Sequence, residues 1–147
     1  MDNNLVYLVQ TDTTVGFLSN NNKKLSSIKQ RDQNQKILQV VDRLSTLKLK
    51  VRVPNNRKNS LRRSNLATFI YPNGLSFRVV DKTTQHHKYI NKFKCLYSTS
   101  ANITKKEFNE SFAVQNSDII LYNNQDFKEM KASSIYKINN FKIKKLR

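Results

Sequence analysis

Only two of the 147 residues are glycine, Gly16 and Gly74. Dinucleotide-binding fingerprints and Walker-type phosphate loops each need at least two closely spaced glycines, so neither class fits this chain. Any phosphate or carboxylate has to be held by side chains, by hydroxyls or by helix and strand ends. The charge makes such ligands the first to consider: 27 Lys and Arg against 10 Asp and Glu give a net +17. A field of that sign attracts nucleotides, RNA and DNA. A hydrophobic content of 37% and an aromatic content of 10% argue for a packed core rather than a disordered basic tail. The length suits one domain, residues 1–147, that buries roughly 68–70% of the surface its unfolded chain exposes.

A lone Cys95 forms no internal disulfide and completes no zinc finger or redox pair, which points to a reducing compartment. The start Met1-Asp2-Asn3-Asn4, followed by apolar residues only from Leu5 to Val9, lacks the pattern of a signal peptide. No run approaches the ~20 apolar residues of a membrane span. A cytoplasmic domain with no membrane association is expected.

The elements alternate. Leu5 to Val9 and Ile37 to Val41 read as strands, and Asn22 to Arg31, with Leu25 and Ile28 three apart, as a short amphipathic helix ending near Lys29-Gln30-Arg31. A short helix using Leu44 and Leu47 follows. Lys48 to Arg63 holds seven cations and no acid and reads as an exposed basic loop. Leu66 to Tyr71 and Leu75 to Val80 form a hairpin around Pro72-Asn73-Gly74, the Asn-Gly supplying positive φ. Thr83 to Lys94 reads as a helix and Cys95 to Tyr97 as a strand. Thr104 with Glu107 makes a capping box for a helix through Phe108 and Phe112. Asp118 to Tyr122, Ser133 to Ile138 and Phe141 to Leu146 read as strands or extended segments. Strands alternating with helices give a layered α/β domain, and the central hairpin makes its sheet mixed. Ligands of such sheets collect where loops leave the strand ends.

Three elements can cradle an anion without glycine: Thr11 to Thr14, the Lys29-x-Arg31 pair, and Ser98 to Asn102. Singly, each is more often an ordinary turn or a solvated surface pair. His86-His87 lacks the companions of a metal site and reads as two surface histidines of a helix. Cys95 reads as a small buried hydrophobe. A hydrolase triad from Ser100, His87 and Asp81 lacks the elbow that presents a nucleophilic serine.

In combination these elements resemble the YrdC/TsaC-like threonylcarbamoyl-AMP synthases. Gln10-Thr11-Asp12-Thr13-Thr14-Val15-Gly16-Phe17 is similar to that family's Pro-Thr-Glu-Thr-x-Tyr-Gly-Leu. Lys29-Gln30-Arg31-Asp32 is similar to Lys-x-Arg-Pro, Thr68-Phe69 to its Thr-Phe strand, Ser76 to Val80 to Ala-Val-Arg-x-Pro, and Ser133-Ser134-Ile135-Tyr136 to Ser-Thr-Ile-Val. Ser-Thr-Ser-Ala-Asn stands unaltered at Ser98 to Asn102. The departures are Gln10, Asp32 and Val80 at prolines, Asp12 at a glutamate and Val15 at a tyrosine.

The resemblance implies a YrdC-like layered domain, with a twisted mixed sheet flanked by helices, α+β in some schemes. It implies that L-threonine, bicarbonate or carbon dioxide, and ATP yield threonylcarbamoyl-AMP and pyrophosphate, for the t6A modification at tRNA position 37. Lys29, Arg31, Ser100 and Asn102 would form the catalytic tetrad, with Thr11, Thr13 and Arg31 near threonine. Lys29, Arg78, Ser98, Ser100, Asn102, Ser133 and Ser134 would contact the nucleotide. Mg²⁺ would arrive with ATP and no protein metal site is implied. Partners would include the proteins of the t6A transfer step, and RNA or tRNA on a basic face. The basic stretch 48–63 is expected to lie over the site or to dock RNA. The alternative is a catalytically weakened member that serves as an RNA- or nucleotide-binding protein.

Overall fold

The computed structural model describes residues 1–122 and 126–147. Its frame is a nine-stranded mixed sheet in the order β7-β1-β2-β6-β3-β5-β4-β8-β9. The strands are β1 (Tyr7–Gln10), β2 (Val15–Ser19), β3 (Gln39–Val41), β4 (Ala67–Ile70), β5 (Ser76–Val79), β6 (Cys95–Ser100), β7 (Ile119–Leu121), β8 (Ser134–Ile138) and β9 (Ile143–Lys145). The helices are α1 (Asn22–Ile28), α2 (Leu44–Lys50), α3 (Lys58–Arg63), α4 (Gln85–Phe93) and α5 (Glu110–Gln115). Pairs β1·β7, β3·β5 and β4·β8 are parallel and the others antiparallel, so the sheet is mixed as the sequence predicts.

Several elements differ from expectation for identifiable reasons. Val15–Ser19 is a fully buried strand, so Thr11 to Thr14 is a hairpin turn rather than a strand-to-helix loop. Ser98 to Ser100 lies inside β6, paired with β2, rather than in a loop. The basic stretch folds: α2, a 3-10 turn at Asn55–Arg57, and α3 anchor it through buried Leu47, Val51, Val53 and Leu61. Thr104 caps no helix. Its hydroxyl donates to Lys29 O at 2.8 Å, and Asn109 caps α5 by accepting from Phe112 N at 2.8 Å. The β4–β5 hairpin forms, but only Gly74 (φ 76°) takes positive φ; Gly74 N donates to Tyr71 O at 2.8 Å, a three-residue loop ending in a left-handed glycine.

The sheet buries apolar residues on both faces. Val6, Leu8, Val15, Phe17 and Ala101 pack with Leu25 of α1 and Ala113 of α5. Tyr7, Val9, Leu18, Val40 and Leu96 pack with Ile90 of α4. A third cluster, including Val41, Phe69 and Phe77, packs with α2 and α3. By strand alternation Ser98, Ser100 and Arg78 share the sheet face that α4 covers in part. A polar cleft opens on that face.

Candidate functional site

The cleft has a volume of about 230 Å³ and is walled by Thr11, Thr13, Thr14, Gly16, Leu38, Arg78, Ser98, Thr99, Ser100, Ala132, Ser133 and Arg147. Its floor is close backbone: a Cβ at Gly16 would stand 3.0 Å from Thr11 Cγ2 and 3.2 Å from Thr99 O. A side chain there would push the threonine turn away from β6.

Thr11 holds that turn. Its Oγ1 donates to Thr14 O at 2.6 Å and accepts from Thr13 N at 3.2 Å and Thr14 N at 3.1 Å. One proton and two lone pairs are then engaged, so Thr11 shapes the cleft rather than offering a hydrogen bond to a ligand. Thr13 differs. Its Oγ1 accepts from Arg78 NH1 at 3.1 Å, and with the Thr11 proton on Thr14 O its own proton faces Thr11 Oγ1 at 3.3 Å.

Behind this wall lies a buried triad. Asp12 Oδ1 is 3.4 Å from Arg78 NH1 and 3.2 Å from His86 Nδ1, and all three side chains are almost fully enclosed. The His86 hydrogen bond and the Arg78 charge outweigh burial and hold the Asp12 carboxyl below its usual range. Burial pushes His86 below its ordinary value, so the neutral ring donates from Nδ1 and leaves Nε2 buried without a partner. His86 is a core histidine, against the surface position read from sequence; its partner Asp12 stands 74 residues away. His87 is half-buried, with Nε2 3.1 Å from Asp42 O.

Lys29 is the other buried cation. Helix α1 starts under the Asn21 side-chain cap and ends with Gln30 at φ 51°. Gln30 N donates to Ser27 O and Arg31 N to Ser26 O, both at 3.0 Å, which is a Schellman end. The Lys-x-Arg spacing is therefore geometric: the middle residue takes the left-handed turn, and Lys29 at the cap points inward. Its Nζ donates to Ser100 O and Asn102 Oδ1, both at 2.9 Å, and reaches Ser100 Oγ at 3.3 Å and Asn102 O. Burial, then the positive charge of Arg31, lowers Lys29 to about 8. Burial also lowers Arg31, which is half-buried. Among the described residues neither cation has a carboxylate partner. An anion beside Lys29 Nζ would relieve that cation, whose pKa the Arg31 charge also lowers.

The structure thus brings Lys29, Ser100 and Asn102 into contact and gathers Thr11, Thr13, Arg78, Ser98, Ser100 and Ser133 around one cleft. Lys29, Arg31 and Asn102 are not wall residues; Lys29 and Asn102 join the cleft through Ser100. Ser133 Oγ lies 3.1 Å from Thr68 Oγ1. Ser134, the next residue along β8, is outside the wall, because alternation along the strand sends it to the other face. Arg147 was not singled out by sequence. It donates to Ser133 O from NH2 at 3.0 Å and adds a cation to the wall, and a terminal basic residue carries no local signal of this.

The stretch 48–63 does not cover this cleft. Lys48, Lys58 and Arg62 line a separate space of about 550 Å³ with Arg43, Asp81 and Lys82, and the two share no wall residue. Cys95 is partly buried, its thiol pushed up by burial, which fits a packing role rather than a nucleophile. Among the described residues no cluster of three or more His, Cys, Asp or Glu could hold a metal, and no helix is long and apolar enough to cross a membrane.

Fold and cleft together define a mixed α/β domain with a cleft lined by hydroxyls, Arg78 and Arg147. Among solved structures the chain is similar to the MTH1692 protein from Methanobacterium thermoautotrophicum, with TM-score 0.70 and 18% identity, over 98% of this chain and 80% of that one. It is similar to P. abyssi Sua5 complexed with L-threonine, with TM-score 0.77 and 14% identity, over 98% of this chain and 50% of that one. It is also similar to E. coli YciO, with TM-score 0.74 and 15% identity, over 98% of this chain and 82% of that one. The chain has the fold of a YrdC/Sua5-like domain, and it spans about half the length of P. abyssi Sua5. No protein-family model and no curated protein matches it by sequence.

Proposed function

We propose that this domain is a threonylcarbamoyl-AMP synthase that joins L-threonine, bicarbonate or carbon dioxide, and ATP. The observation that carries this reading is the buried, carboxylate-free Lys29 locked onto Ser100 and Asn102, beside a cleft lined with hydroxyls and Arg78. The similar Sua5 structure holds L-threonine, which supports an amino-acid ligand in the corresponding fold.

The chemistry asks for little besides position and charge. The threonine amine adds carbon dioxide and loses a proton, giving a carbamate. A carbamate oxygen then attacks the α-phosphorus of ATP, the bond to the bridging oxygen breaks, and pyrophosphate leaves. Two anions must meet, so fixed positive charge is the main requirement. Lys29 would supply it at Ser100, with the Arg31 charge acting on Lys29, and Arg147 at the cleft wall. Arg78, held at the cleft wall by Thr13, would offer its charge to a carboxylate, while Ser98, Ser100 and Ser133 offer neutral hydrogen bonds to phosphate or ribose oxygens. The cleft wall carries hydroxyls and no carboxylate. Mg²⁺ would enter as part of the Mg·ATP substrate, held by phosphates and water. The product would pass to the proteins of the t6A transfer step.

Calorimetric titration tests the reading. L-Threonine and Mg·ATP should each bind, and Lys29→Ala should weaken ATP while leaving the melting transition in place. A folded protein that binds neither ligand would refute it.

A further inference from the structure

The β8–β9 hairpin carries a feature that the cleft chemistry does not use. From Met130 to Arg147 the chain has six cations and no acid. Pairing sets Lys137 directly opposite Lys144, with Asn139 and Lys142 next along the same face. Like charges directly opposite one another destabilise a strand pair, and among the described residues no carboxylate is paired with any of these lysines. The hairpin's other face packs inward, with Ile138 buried and Tyr136 stacked on Phe69 at 5.4 Å.

The three lysines and Asn139 wall a groove of about 390 Å³ whose remaining walls are Ile70, Tyr71, Pro72, Gly74 and Ile138. This groove shares no residue with the site cleft. At the hairpin tip Phe141 is 88% exposed, the most exposed large apolar side chain among the described residues. The tip is fixed rather than loose. Phe141 N and Lys142 N both donate to Asn139 Oδ1 at 2.8 Å, and Arg57 NH2 donates to Phe141 O at 3.4 Å.

We propose that this face binds single-stranded nucleic acid, with Lys142 and Lys144 on successive phosphates, Lys137 opposite Lys144 across the strand pair, and an unstacked base on the Phe141 ring. Residues two apart on a strand stand about 6.6 Å apart, a step that suits the phosphates of an extended strand. An exposed aromatic on a fixed backbone turn next to a cationic groove is the arrangement by which sequence-tolerant single-strand binders work. A duplex keeps its bases stacked and gives Phe141 nothing to cover. The proposal does not depend on the synthase reading, and its test uses no substrate of that reaction.

Fluorescence anisotropy with a labelled single-stranded RNA of about twelve nucleotides tests it, with DNA of the same sequence assigning the sugar. Phe141→Ala should weaken binding about tenfold. Lys142→Ala/Lys144→Ala should reduce the slope of log affinity against log salt by about 1.4, two phosphates at roughly 0.7 each for a single strand. Lys48→Ala/Lys82→Ala removes equal charge from the other basic space and should leave the slope near that of the wild type. Circular dichroism melts confirm that each variant is folded. Equal losses in the two double variants would reduce the binding to whole-molecule attraction and overturn the proposal. So would an unaffected Phe141→Ala, tighter binding to a duplex of equal length, or Phe141-dependent binding to anionic lipid vesicles without RNA binding.

Discussion

Lys29 Nζ stands 2.9 Å from Asn102 Oδ1 across 73 residues of sequence, and together with its bond to Ser100 O this contact ties the end of helix α1 to the end of strand β6 and the residues that follow it. The burial of Lys29 makes the site's charge sensitive to pH in an unusual range. Burial and Arg31 bring Lys29 to about 8, so ATP affinity of the free chain should fall as pH rises through about 8 rather than near 10.5. The stability sign runs the other way. The folded value lies below the unfolded one, so charged Lys29 costs stability below about 8, and that cost fades between about 8 and 10.5. ATP titrations across this range check the prediction, and Lys29→Met should remove the alkaline limb.

The Asp12–His86–Arg78 triad predicts acid sensitivity. His86 is depressed below 6.5 in the fold, so the unfolded chain takes up its proton first, and stability drops as pH falls below 6.5 towards the folded value. Asp12, also depressed, loses its contribution only below 3.8. Melting temperatures between these limits should decline in the wild type and decline less in His86→Gln. Asp12→Ala leaves the Arg78 guanidinium buried without its counter-charge and should cost about 3–5 kcal/mol in denaturant unfolding.

Gln30 occupies the left-handed position that ends α1, at φ 51°. Gln30→Gly removes the Cβ strain and should add up to about 1 kcal/mol of stability, while Gln30→Val should subtract at least as much. Thermal melts separate the two. Equal melting temperatures would contradict the geometry assigned to the Lys-x-Arg turn.

The Lys137–Lys144 opposition predicts a trade between stability and binding. Lys144→Glu converts a like-charge cross-strand pair into an opposite one and should stabilise the protein by roughly 0.2–1 kcal/mol. The same variant should bind single-stranded RNA more weakly. Loss of both stability and binding would contradict this reading of the hairpin.

Local chemistry made some of the fold legible. Pro72-Asn73-Gly74 between two apolar runs marks the β4–β5 hairpin, and α4 begins where Thr84 caps it by accepting from His87 N at 3.2 Å. Lys29, Ser100 and Asn102 are named together only by the resemblance to YrdC-like synthases, and the contact between them is made by folding. Where sequence reading failed, a distant partner decided the outcome. Val15 to Ser19 follows a hydroxyl-rich turn and became a strand because β1 and β6 flank it. Thr104 and Glu107 have the spacing of a capping box, but Lys29 O takes the Thr104 hydroxyl. In the stretch 48–63 the buried apolar side chains are spaced too widely among the cations to announce a helix. His86 looked exposed because Asp12 and Arg78 lie far from it in sequence.

The central claim rests on chemistry at the Lys29–Ser100–Asn102 end of the cleft. The most direct test incubates the protein with Mg·ATP, bicarbonate and L-threonine and follows threonylcarbamoyl-AMP by mass spectrometry, beside reactions without threonine and with Lys29→Ala/Ser100→Ala. The account predicts a product that requires threonine and bicarbonate and disappears in the folded double variant. No product from the wild-type chain, in a buffer where an established synthase is active, would contradict it.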